Sequence, residues 1–428
     1  VPAVGCTEPA AVSLCVARAG ELLGTVPARV EVGLSGDVLK NAMGVGIPGT
    51  GMTGLPIAVA LGALCGRSER GLEVLCDVSE EDVLRGRQWI DEGRIVIGLK
   101  GGCDDVLFIE ATVFADDGQW ASAVIRGSHT CFVELSRNGC EVPLSDDVRC
   151  EMDDVRCGMD DERGVVDDLS LRMVYEFASS APLNEIDFIL ESARLNRAAA
   201  ESALRGNYGH ALGKILSRPL GRGIMGDSMF SHIISLTANA CDARMAGAMI
   251  PVMCNSGSGN QGICATLPVV QFAEENHNTR EELTRALMMS HLTAIYIKRS
   301  LGRLSALCGC VVAATGSSVG ITFLMGGGYE QVQAAVKNMI ANLTGMICDG
   351  AKPSCSLKLS SGVSTAVMSA ILAMNGECVS PVEGIIDGDV DRSIHNLTKI
   401  GRDAMCQTDS CVLDIMTHKN EKWGNCNF

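Results

Sequence analysis

The chain has 428 residues, long enough for one large domain with an insertion or for two to three ordinary domains. Its formal net charge is −16, and no basic patch interrupts the acidic balance, which argues against a nucleic acid or an anionic membrane surface as partner. Hydrophobic residues make up 47% and aromatic ones only 4%, so the core is expected to rest on aliphatic, alanine and glycine contacts, and 48 glycines suit close helix packing.

The first element is announced by Gly5-Cys6-Thr7-Glu8-Pro9. Thr7 is a good N-cap, Glu8 favours a first turn and Pro9 needs no N–H there, so a helix is expected to run to residue 23. Cys6 would face the unpaired N–H groups of that helix, a field that favours thiolate over thiol, although a small buried residue is the competing reading. Because the chain begins at Val1 rather than Met, some sequence is expected to precede it. Residues 28–36 alternate as a strand, and a helix is expected over 55–65 with Pro56 near its start.

From residue 72 to about 136 the texture becomes that of a small α+β module. Residues 72–75 read as a strand, Ser79 with Asp82 as a capping box opening a helix to about Glu92, and 94–100 as the next strand. Residues 106–114 and 119–126 form a hairpin around Asp116-Asp117-Gly118, and 131–136 a last strand. Next come two similar acidic segments, Asp146 to Met152 and Asp153 to Met159, read as a solvated linker in preference to a carboxylate and thiol metal site. Beyond residue 164 helix follows helix, including 184–205, 280–300 and 330–341.

Four stretches, 41–66, 245–273, 304–329 and 359–376, are long and nearly or wholly uncharged. They are broken by Gly, Ser, Thr, Asn and Pro, which a lipid-facing helix could not satisfy, so buried helices meeting at glycine-rich turns are expected instead of membrane spans. The fold class is therefore α+β. A large, mostly helical domain from 1–70 and 164–428 carries buried glycine-rich helices, a small α+β module is inserted at 71–145, and an acidic linker occupies 146–163. Twenty cysteines without a visible signal peptide suit free thiols in the cytoplasm better than a disulfide framework.

Three of those cysteines, Cys308, Cys348 and Cys355, stand out in the helical half, because Asp349-Gly350 and Lys352-Pro353 force a turn between the last two. Three thiolates suit a [4Fe–4S] cluster with one iron left open. In a chain this rich in cysteine, a chance triad of structural thiols is the alternative that spacing leaves standing.

Taken in order, Gly5-Cys6-Thr7-Glu8-Pro9, Lys40 to Val45 with Ile47-Pro48-Gly49-Thr50, Cys254 to Gly262, Cys348 to Lys352 and Ser361-Gly362-Val363 resemble the L-cysteine desulfidase family, relatives of the iron–sulfur L-serine dehydratase alpha chain. The resemblance spans nearly the whole chain. It implies an oxygen-sensitive [4Fe–4S] enzyme, independent of pyridoxal phosphate, that turns L-cysteine into pyruvate, ammonia and hydrogen sulfide. It matches Cys308, Cys348 and Cys355 to the cluster ligands, with Cys310 close by, and Cys6 to a reactive N-terminal cysteine.

Such chemistry needs a Lewis acid for the leaving group and a base at Cα, and Cys6 as thiolate is the expected base. Donors for the substrate carboxylate are expected from Asn255, Ser256, Ser258 and Asn260, from Thr50, and from Ser361 with Gly362. Lys40 is a candidate carboxylate partner unless it forms an exposed salt bridge. His129, at a strand end, can bring an imidazole to the same cleft or serve the structure alone. An L-serine dehydratase and a non-catalytic cluster or zinc sensor of redox state or amino acids are the alternative functions. The expected partner is a small amino acid, with self-association left open.

Overall fold

A computed structural model of the chain describes residues 2–103, 105–144, 169–302 and 305–418. The expected linker at 146–163 lies outside the described residues. The chain opens with β1 (Pro2–Val4) and α1 (Thr7–Leu23), the latter capped by Cys6 itself, one residue before the expected cap. There follow β2 (Arg29–Leu34), α2 (Gly36–Ala42), α3 (Leu55–Cys65) and α4 (Glu80–Asp91), whose Ser79 and Asp82 form the expected capping box. Next come β3 (Ile95–Leu99), β4 (Phe108–Phe114), β5 (Trp120–Arg126), β6 (Phe132–Arg137) and β7 (Cys140–Glu141).

These strands build one sheet in the order β3-β2-β4-β5-β6-β7, with β2 parallel to β3 and the other pairs antiparallel. Two expectations change here. Residues 72–75 are not a strand: Ser68–Glu73 is a tight 3-10 turn with Gly71 at φ +55°, and Val74 and Leu75 fill the core without joining the sheet. The boundary at residue 70 also moves, because β2 is an inner strand and α1 packs on β4 and β5. Residues of α1, α2, α3 and the sheet therefore share one apolar core. Cys15 illustrates it: its thiol is spent on the Ala123 carbonyl at 3.2 Å, as expected of a packing cysteine.

The helical half contains α5 (Leu171–Ser180), α6 (Leu190–Arg205), α7 (Met229–Met245), β8 (Pro251–Met253), α8 (Gly259–Glu275) and α9 (Arg280–Leu301). It continues with α10 (Gly309–Leu324), α11 (Tyr329–Leu343), α12 (Cys355–Met374), α13 (Val390–Lys399) and α14 (Cys406–Thr417). The long helix expected over 184–205 is broken before Leu190 by a 3-10 turn, Asp187–Ile189. The uncharged stretches do become buried helices. At the α9–α10 crossing a Cβ on Gly316 would stand 2.3 Å from the Ser290 carbonyl, so only glycine lets the backbones come this close. Helix α12 is the one described helix long and apolar enough to cross a membrane, yet half of it is buried against α7, α10 and α11.

Two contacts join the halves at the site. Strand β1 pairs antiparallel with β8, bringing the start of α1 to the turn after α7. The 46–49 loop then bonds that turn, Gly46 N–H to Met245 O at 2.9 Å and Gly49 N–H to Gly247 O at 3.2 Å.

Candidate functional site

Cys308 and Cys348 meet because their segments pair. A short antiparallel bridge joins Leu307 to Ile347, with Cys308 N–H on Met346 O at 2.9 Å and Cys348 N–H on Ala306 O at 2.6 Å. Their thiols lie within hydrogen-bonding reach of each other. Cys355 opens α12, its thiol donating to Gly350 O at 3.7 Å and close enough to Cys348 for charge coupling. The intervening turn depends on Gly350, at φ +86° with its missing Cβ 2.2 Å from Lys40 O. All three thiols are free, with Cys308 and Cys355 buried and Cys348 partly so.

Cys310 is also free and buried; its thiol lies within hydrogen-bonding reach of Cys308, donates to Lys358 O at 3.4 Å and meets Met346 Sδ at 3.3 Å, inside the α10–α12 contact. Among the described residues no three His, Cys, Asp or Glu side chains are close enough to hold a single metal ion.

Cations surround the triad. Lys40 is 2% exposed and ion-paired with Asp37 and with Asp409 of α14, which packs against α2, so it is neither an exposed pair nor free for a substrate carboxylate. Burial pushes Lys298, on α9, down to about 8, against the pull of nearby Cys348 and Cys308. Sequence reasoning missed Lys298, which reads as one of two exposed basic residues in a last helical turn.

On the other side of the site stand Cys6, Glu8, His129 and Arg244. The Cys6 thiol donates to Glu8 Oε2 at 2.9 Å, and Thr7 Oγ1 donates to the same atom at 3.1 Å. The thiolate expected from the helix field is not favoured: burial first, then the Glu8 charge, pushes the Cys6 thiol well up, against the opposing pull of the Arg244 charge and of the Glu8 backbone N–H. Burial alone would push Glu8 up as well, but His129 and the Cys6 and Thr7 donors hold it below the usual carboxylate range. His129 thus reaches the same cleft, beside Glu8. Cys6 also lines a cavity of about 220 Å³ with Pro9, Ile47, Pro48, Leu72 and Met249.

The expected carboxylate donors are largely committed elsewhere. Asn255 Nδ2 donates to His291 Nδ1 and to His291 O, each at 3.1 Å. Ser256 and Gly257 form the tip of a tight turn at positive φ, and the exposed Ser256 hydroxyl returns to Asn255 Oδ1 at 2.9 Å. Ser258 caps α8 by accepting Gln261 N–H at 3.4 Å. Asn260 accepts the Cys241 thiol at 3.6 Å and donates to Met245 Sδ at 3.3 Å. Thr50 Oγ1 closes its own loop on Ile47 O at 2.8 Å. Ser361 lies on an exposed face of α12, bonded to Leu357 O at 3.2 Å, and Gly362 is a helix contact against Ala314 and Cys310. In the structure Ser361 thus bonds within its own helix and Gly362 serves the packing of α12 on α10.

Sequence reasoning also missed His291 and the network around it. Its Nε2 meets Thr266 Oγ1 at 2.9 Å, and Thr266 receives Asn196 Nδ2 at 3.1 Å. A histidine among Met288, Met289 and Leu292 was the available signal. Arg244 was missed too, a lone cation at the edge of an uncharged run.

The family model described as serine dehydratase alpha chain matches residues 69–414. A UPF0597 protein of Bacteroides fragilis is 63% identical over 98% of this chain and 96% of its own length. Similar proteins of Bacteroides thetaiotaomicron, 63% identical over 98% and 95%, and of Shewanella pealeana, 44% identical over 98% and 96%, carry the same name. On a match of this extent, the chain belongs to the serine dehydratase alpha-chain family.

Proposed function

We propose that the protein is an iron–sulfur lyase that acts on L-cysteine, releasing pyruvate, ammonia and hydrogen sulfide with uptake of one water. The observation that carries this reading is the convergence of three free thiols, Cys308 from one segment and Cys348 and Cys355 from another. A single ion needs donors about 2.0–2.3 Å from one point, which these do not provide, whereas a cluster spreads its thiolates over separate irons. The donor set suits a [4Fe–4S] group held by three cysteines, with Lys40 and Lys298 offsetting thiolate charge. The Cys310 thiol, which donates to Lys358 O, is also within hydrogen-bonding reach of Cys308; Cys308 is proposed as the ligand because it meets Cys348 as well.

When bound, such a cluster supplies a Lewis-acidic iron for the sulfur that leaves. Cys6 is proposed as the group that takes the α-proton. Its thiol is held by the Glu8 carboxylate at 2.9 Å and must be ionised to act, a state that the neighbouring Arg244 charge favours. His129 steadies the Glu8 charge.

The same arrangement is compatible with L-serine as substrate, and the family match to serine dehydratases favours keeping that second reading. The test is anaerobic reconstitution with iron and sulfide, followed by measurement of pyruvate from L-cysteine and L-serine side by side. Brown protein with a higher kcat/KM for cysteine is expected. A higher value for serine supports the dehydratase reading, and a colourless zinc protein that makes no pyruvate from either supports a sensor and refutes the lyase.

A further inference from the structure

Arg244 lies at the end of α7 with 4% of its surface exposed. A guanidinium is always charged, so burying one without an anion is costly. Yet Arg244 forms no ion pair with any described carboxylate, and its Nε has no hydrogen-bond partner. The ionisable groups nearest it, the thiols of Cys6, Cys254 and Cys241 and the Glu8 carboxylate, surround it without forming a salt bridge to it. A buried cation held in this way is a receptor for an anion that arrives from outside.

The place it faces is built for one. A Cβ on Gly259, the first residue of α8, would stand 2.3 Å from Arg244 Nε and 2.8 Å from its Cζ, so glycine leaves the guanidinium lying against the helix start. Ser258 caps only the Gln261 N–H, and the N–H groups of Gly259 and Asn260 belong to the unpaired first turn of a 17-residue helix. The positive end of the helix and the guanidinium thus address one space. Asn260, in the same turn, reaches Cys241, whose charge couples to Cys355 as well as to Arg244. Cys241 packs in the same buried cluster as Cys6, Cys308 and Cys355, which sets the anion position among these thiols.

We propose that Arg244, with the N-terminus of α8, binds the α-carboxylate of the amino acid substrate. The inference rests on the lyase reading only for the identity of that amino acid. It moves carboxylate recognition from Lys40, Thr50 and Ser361, whose polar groups are spent within the fold, to a cation that no described carboxylate meets in an ion pair. The proposal then orders the substrate. Its carboxylate is at Arg244, its α-hydrogen toward Cys6 and its β-substituent toward Cys308, Cys348 and Cys355.

The test uses L-alanine, which has no leaving group, and L-alaninamide, which has no carboxylate. Each is titrated calorimetrically into the reconstituted full chain. Wild type is expected to bind L-alanine and to reject the amide. Arg244→Gln should weaken L-alanine by about 10- to 100-fold, the size of a lost charge-assisted bond, and leave the amide unchanged. Gly259→Ala keeps the cation but drives a methyl into it, and should weaken L-alanine in the same direction, which covers the case in which Arg244→Gln does not fold. Equal affinity for acid and amide, no binding of L-alanine to wild type, or unchanged binding in both variants overturns the proposal. The lyase reading fails separately: L-alanine binding through Arg244 with no pyruvate from L-cysteine or L-serine overturns the activity and leaves this carboxylate site standing. Normal turnover with an unchanged KM in Arg244→Gln does the reverse.

Discussion

Acidification should loosen this protein through one residue, His291. Burial holds its imidazole down to about 4 from an ordinary 6.5. The hydrogen bonds agree with a neutral ring: Thr266 donates its hydroxyl to Gly262 O at 2.7 Å and so accepts from Nε2–H, while Nδ1 accepts from Asn255. A proton on Nδ1 would set two donors face to face and release the Asn255 to Ser258 turn ahead of α8. Below pH 6.5 the unfolded chain takes up a proton that the folded one refuses. Stability is therefore complete above the unfolded value and falls as the pH drops toward the folded value of about 4. At 1.36 kcal/mol per pH unit the loss is about 3 kcal/mol. Urea unfolding followed by circular dichroism, on wild type and His291→Gln, measures it. Glutamine offers one acceptor and one donor at every pH, so the variant should start up to about 2 kcal/mol less stable and lose about 3 kcal/mol less than wild type between about pH 7 and pH 4. Parallel pH profiles for the two proteins would refute the assignment of a neutral, buried His291.

Replacing Cys308, Cys348 or Cys355 by Ala should remove iron, sulfide and activity together, whereas Cys310→Ala should retain iron; full iron in Cys348→Ala would sink the ligand set. Cys6→Ser and Glu8→Gln should keep the brown colour and lose turnover by roughly 10²–10⁴-fold, with α-hydrogen exchange lost alongside. A colourless Cys6→Ser protein, or one with near-normal rates, contradicts that division of roles. Gly262→Ala would bring a Cβ to 1.7 Å from Met253 O and should cost several degrees of melting temperature and distort the 254–258 turn. Ser361→Ala, on the exposed face of α12, should leave both melting temperature and KM where they are, and a raised KM there would restore Ser361 to the site.

Local signals carried most of the elements, because caps, turns and periodicity act within a few residues. The Ser79 capping box, the hairpin around Gly118, and the buried, uncharged helices are examples. The same local reading placed a strand at 72–75 that the sheet has no room to pair, and a boundary at residue 70 that β2 crosses by lying inside the sheet. Sequence also singled out the cysteine triad, Cys6 and His129, the triad by the turn between Cys348 and Cys355 and by the family resemblance, Cys6 by its place at a helix start and His129 by its place at a strand end. The tertiary structure decided how they are charged and what they touch. Cys6 sits at a helix start, but burial and Glu8, two residues on, outweigh the helix field. Lys40 looks like a free cation in the sequence, and Asp409, from the far end of the chain, neutralises it. Arg244 gives no sign in the sequence that it stands without an ion pair among the described carboxylates. Charge balance in a buried site is a sum over neighbours distant in sequence, and only the folded chain performs that sum.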